Sequence, residues 1–207
     1  MFRLLSSQKR LGLAACSLAF IGLFAASAVE AHTGLGDAGT TFSAGFMHPF
    51  GGLDHVLAML AVGLYAAQKG GRALWLVPAA FLAVMALGGL GAAAGLGLPL
   101  VEIGILGSLI VFGAAVLFAS RVPLALGAAL VALFAVFHGH AHGAEILAGA
   151  PAGLYVGGFV LATGLLHGIG LAAGLLCQRA GRAFWPGVVR AGGAAVAATG
   201  LVLLIAP

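Results

Sequence analysis

Seven histidines and five acidic side chains are set in a 207-residue chain that is otherwise 62% apolar, and seven of these twelve groups fall in two short stretches. The first reads His48-Pro49-Phe50-Gly51-Gly52-Leu53-Asp54-His55-Val56-Leu57-Ala58-Met59, the second Phe137-His138-Gly139-His140-Ala141-His142-Gly143-Ala144-Glu145. Imidazole nitrogens with carboxylate oxygens and no thiolate suit a borderline divalent ion such as nickel, cobalt or zinc better than copper(I). Metal ligation is therefore the chemistry these residue types offer.

Spacing limits how each stretch can present its ligands. Pro49 fits the first turn of a helix and disfavours helical geometry at the preceding residue, which places His48 on a bend. A continuous helix from there carries Asp54 and His55 about 8 to 9 Å further in. Adjacent helical residues face apart, so Asp54 is expected to point to another helix or to His48 instead of the His55 ring. In the second stretch a helix puts His138, His142 and Glu145 on one face, whereas an extended chain puts His138, His140 and His142 on one side. Two imidazoles converge either way.

The remaining polar groups carry weaker signals. An ionisable group at membrane depth is costly, on the order of 2.5 to 3.5 kcal/mol at a helix centre, so each position needs a reason. His167 stands alone in an apolar stretch, where bonding to Thr163 one turn away or to a backbone carbonyl competes evenly with a role in moving an ion. Glu102 either snorkels to an interface or accepts from a ligating imidazole. His140 is nearly as well explained by solvent as by ligation. Glycine pairs at Gly91/Gly95, Gly153/Gly157, Gly164/Gly168 and Gly170/Gly174 have the spacing of close helix packing.

The elements that position these groups follow from composition. Only 7% of residues are charged, against about a quarter in a soluble domain. The fold class is all-α, a polytopic membrane bundle, since the apolar runs lack the short alternation of a barrel. Residues 1–31 read as a cleaved signal peptide, with Arg3, Lys9 and Arg10 ahead of an apolar core and Val29-Glu30-Ala31 at the cut. A lipoprotein site at Leu13-Ala14-Ala15-Cys16 competes, but leaves too short a core. Cleavage after Ala31 exposes His32, whose amine and imidazole together make a chelate.

Six transmembrane helices are expected in residues 32–207, near Phe50–Ala67, Ala73–Leu96, Leu100–Ala119, Val122–Phe137, Ala152–Cys177 and Phe184–Ile205. The fourth is short enough to extend into the His-rich stretch. Lys69, Arg72, Arg121, Arg179, Arg182 and Arg190 all fall in or beside alternate loops, which makes those loops cytoplasmic and the mature amino terminus periplasmic. The acids and histidines gather on the opposite half. Nothing points to nucleic acid, no phosphate loop for ATP is present, and Cys177 has no second mature cysteine to pair with.

Together the two stretches resemble the paired signature of the HupE/UreJ family of hydrogenase and urease accessory proteins, and the export signal and six-helix layout are similar over essentially the whole mature chain. The resemblance implies a permease of the bacterial inner membrane, with nickel as cargo and cobalt as an alternative. It carries metal handling onto His48, Asp54, His55, His138, His142 and Glu145, with no permanently bound cofactor. His140 falls at a variable position. The expected partners are a divalent ion and the lipid bilayer, with homo-oligomerisation left open. Three rivals stand beside the permease: a haem protein, a membrane metalloenzyme, and an accessory subunit that binds metal without moving it.

Overall fold

The computed structural model describes residues 41–146, 152–180 and 185–205, and their regular structure is entirely helical. The expected signal peptide and His32 lie outside the described residues. In chain order the elements are α1 (Phe42–Met47), a 3-10 turn (His48–Phe50), α2 (Leu53–Lys69), α3 (Ala73–Ala93), α4 (Val101–Leu117), α5 (Leu124–Gly143), α6 (Ala152–Ala180) and α7 (Trp185–Ile205). Each apolar segment read from the sequence has become a helix. The fourth runs beyond Phe137 through the histidines to Gly143.

Among the described residues four helices are long and apolar enough to cross a membrane: Ala73–Ala93, Leu124–Gly143, Ala152–Arg179 and Gly187–Ile205. The segment from Phe42 to Lys69 passes the same test as a broken span bent by 83°. Helix α4 has 17 residues, about 26 Å against a hydrocarbon core of about 30 Å, and falls short of a full span by length.

Polarity is arranged inside out, as lipid demands and water does not. Leu87, Leu133, Leu161, Ile169 and Leu201 point outward, while His55, Ser108, His138, His142, Thr163 and His167 are buried. Helix α2 forms the axis, with every residue from Leu57 to Ala67 buried. Around it α3 packs on α5, α4 on α7, and α6 on both α2 and α1.

Close packing depends on glycine where one backbone meets another. A Cβ at Gly139 would stand 2.0 Å from the Met85 carbonyl oxygen, and one at Gly143 would stand 2.1 Å from that of Gly89. The α3 and α5 backbones thus touch at the level of the histidines. The glycine pairs singled out by spacing largely do something else. Gly153, Gly157 and Gly168 meet nothing within 4 Å, whereas Gly170 is pressed against a backbone, that of Leu60. A repeat of small residues marks a smooth helix face, but only the neighbouring helix decides whether that face is used.

The two ends of the bundle differ in chemistry. At one end the Lys69 ammonium donates to the carbonyls of Ala119 (3.2 Å) and Val122 (2.9 Å), while the Gln178 amide donates to Ala67 (2.8 Å). This brings Arg72, Arg121 and Arg179 to a common end, as the alternate-loop pattern requires. The histidine stretches lie at the other.

Candidate metal site

The site begins where α2 cannot continue backwards. Gly51 and Gly52 interrupt the chain, with Gly52 extended at φ −114°, ψ 125°, so the 3-10 turn carrying His48 is a separate element from the helix carrying Asp54. His48 does sit on the bend, although its own backbone is helical (φ −55°, ψ −49°), because it closes α1 by donating its N–H to the Ala44 carbonyl. The straight 8 to 9 Å advance along one helix is replaced by a fold-back.

Asp54 also departs from expectation. Its carboxylate accepts from the backbone N–H of His55 at 2.9 Å and meets Nδ1 of the same imidazole at 3.0 Å. The facing rule holds inside a helix, but in the first turn the amide N–H groups have no carbonyl partner, and a short carboxylate curls back to them. That fold-back brings it beside the ring it was expected to avoid.

His55 then reaches across to α5. Its Nε2 lies 2.7 Å from Nε2 of His142, and its ring centroid is 4.9 Å from that of His138. Asp54 fixes the tautomer: Nδ1–H of His55 donates to the carboxylate, so in the neutral pair His55 Nε2 accepts from His142. His142 Nδ1 is left as a buried lone pair with no partner among the described residues.

The same reasoning applies to His138. The Ser108 hydroxyl donates its single hydrogen to the Ile105 carbonyl at 2.6 Å, so His138 Nε2–H must donate to Ser108 Oγ at 2.9 Å. His138 Nδ1 is therefore bare, and it too has no partner. Sequence reading missed Ser108, although a lone serine in an apolar helix was a usable signal.

A second group opens from the other side of His142. His48 Nδ1 lies 3.5 Å from Glu145 Oε2, and one ligand atom each from His48, His142 and Glu145 all fall within 4.8 Å of one another. Neighbouring ligands on an ion bound at about 2.1 Å stand roughly 3.0 to 3.4 Å apart, so the trio would draw in by up to about 1.8 Å to hold one. The His48 and Glu145 side chains are 35% and 52% exposed, whereas residues His55, His138 and His142 are 8% or less. His142 thus joins a part-exposed group to a buried one. Burial pushes the Glu145 carboxyl above the ordinary carboxylate range, the charges of His55 and Glu102 act on it in opposite senses, and the Tyr155 hydroxyl beside it pulls it back down.

Aromatic rings wall the site. Phe159 stacks obliquely on His142 with centroids 4.2 Å apart, and Tyr155 lies 6.1 Å from His48. Both come from α6, and sequence reading singled out neither.

Three expected residues stand apart. His140 faces away and bonds the Leu96 carbonyl at 2.8 Å, pinning the loop between α3 and α4. Glu102 is exposed in the first turn of α4 and makes no hydrogen bond to an imidazole among the described residues, so of its two expected roles the interfacial one fits. His167 is buried in α6 against Phe81, but the expected bond to Thr163 does not form, and both ring nitrogens lack partners among the described residues.

Fold and site define a class: a helical bundle of membrane character, apolar outside, with a buried imidazole and carboxylate cluster at one end. Residues 18–203 match the family model described as HupE / UreJ protein, and the chain is 45% identical to "Protein HupE" of Rhizobium leguminosarum bv. viciae over 179 residues, 86% of this chain and 91% of that protein. The chain belongs to the HupE/UreJ family. No solved structure matches it.

Proposed function

We propose that this protein carries nickel ions, with cobalt as an alternative cargo, across the bacterial inner membrane into the cytoplasm, where they supply hydrogenase or urease maturation. On this reading residues 1–31 are removed on export, six helices span the bilayer, and the mature amino terminus and histidine end face the periplasm. The shortness of α4 and the bend before α2 are accommodated by local thinning of the bilayer and by burial of the irregular backbone within protein. The chain acts as a carrier and not as an enzyme.

The observation that carries the reading is the position of His142 in both groups. A hydrated ion meets His48 and Glu145 first, exchanges water for imidazole and carboxylate, and is passed by His142 to His55 and His138. The His55 and His142 nitrogens, 2.7 Å apart, need open by only a few tenths of an ångström to reach the roughly 3.0 Å between adjacent ligands on an ion held at about 2.1 Å. The ion displaces the proton they share. Asp54 supplies negative charge beside His55, which a dication in a low-dielectric passage requires. Inward movement is favoured by the membrane potential.

Radioactive nickel uptake into cells and proteoliposomes, competed by cobalt, zinc and copper, tests the proposal. Saturable uptake with nickel preferred is expected. Binding without uptake in proteoliposomes would assign an accessory metal-binding role instead.

A further inference from the structure

His167 and Thr163 belong to neither group described above, yet both are buried to 1% exposure or less in the middle of α6. They lie one helical turn apart and so share a face. Neither ring nitrogen of His167 nor the Thr163 hydroxyl oxygen has a hydrogen-bond partner among the described residues. Buried polar atoms are ordinarily paired, and three unpaired ones on one turn mark a place prepared for something polar. The position is also held stiffly: a Cβ at Gly63 would lie 2.2 Å from the His167 carbonyl oxygen, so α2 clamps the α6 backbone there.

The ring of Phe81 touches both this place and the histidine cluster. Phe81 of α3, fully buried, has its centroid 5.6 Å from that of His138 and 5.0 Å from that of His167, meeting the latter edge to face at 89°. An ion moving from His138 to His167 would pass beside this ring. Further toward the Lys69 end, the Tyr65 hydroxyl is again buried without a partner among the described residues.

Resting on the transport reading, we propose that the cargo path has a second, deeper station formed by His167 and the Thr163 hydroxyl, and that Phe81 is the barrier separating it from the histidine cluster. The station lacks a carboxylate, so it holds a divalent cation more weakly than the cluster containing Asp54 and Glu145. Weak binding past a barrier suits a site that must release its ion onward.

The test uses the full chain in proteoliposomes, with equilibrium nickel binding and nickel uptake measured on the same preparation. His167→Leu removes unpaired polar atoms, so it is expected to melt no lower than wild type and to bind nickel at the cluster with unchanged affinity. Its uptake is expected to fall by about tenfold or more. Phe81→Leu, which removes the ring while keeping an apolar side chain, is expected to raise uptake with cluster affinity unchanged. Wild-type uptake by His167→Leu overturns the second station alone, and so does a loss of cluster binding in parallel with uptake, which would make His167 a support of the cluster. If His167→Leu fails to insert, His167→Gln carries the same expectation. A wild-type protein that neither binds nor carries nickel removes the transport reading itself.

Discussion

The Nε2 atoms of His55 and His142 stand 2.7 Å apart although 87 positions separate the residues in sequence. One nitrogen must donate to the other, so the pair holds a proton where an ion would sit. Asp54 beside His55 and Glu145 beside His142 flank this buried pair with two part-exposed carboxylates.

Asp54→Asn keeps the shape of the carboxylate and removes its charge. Uptake is expected to fall by about 10- to 100-fold, the usual range when a group orienting a ligating histidine is lost, while membrane insertion is unchanged. His55→Ala should abolish uptake. Nickel uptake alongside quantification of inserted protein checks both, and wild-type rates from the pair would reject the route through α2.

Ser108→Ala leaves the His138 Nε2–H without its acceptor inside an apolar core. An unsatisfied buried donor costs on the order of 1 to 3 kcal/mol, so a lower melting temperature in detergent is expected, with weakened metal binding as the freed imidazole turns. A melting temperature equal to that of wild type would show that Ser108 does not hold the ring.

His140 and His142 are two residues apart and should behave oppositely. His140→Ala loses a bond to a loop carbonyl and is expected to leave nickel affinity unchanged, whereas His142→Ala should remove high-affinity binding because both groups share it. Titration of each variant by calorimetry decides.

Gly143→Val places a side chain where the Gly89 carbonyl already sits. The α3 and α5 backbones must separate, at a cost of roughly 1 to 3 kcal/mol, and His142 moves with α5. Reduced thermal stability and reduced uptake are expected together; a variant with normal values of both would mean that the crossing is looser than the backbone contact implies.

The sequence by itself determined the class of fold and which polar groups are candidates for ligation. Long apolar runs force the backbone to satisfy its own hydrogen bonds, which in lipid leaves helices, and the cost of polar groups in such runs marks out the two histidine stretches, within which the family resemblance picks His48, Asp54, His55, His138, His142 and Glu145. Their geometry was another matter. Whether Asp54 turns to His55 depends on Gly51 and Gly52 breaking the helix, and no facing rule for a continuous helix anticipates that break. Which glycines pack, which histidine joins the two groups, and that Ser108, Phe81, Tyr155 and Phe159 surround them were settled only by how the helices cross. Helical periodicity places a side chain on a face of its own helix, whereas a binding site requires knowing what the next helix presents to that face, and that relation exists only once the bundle has assembled.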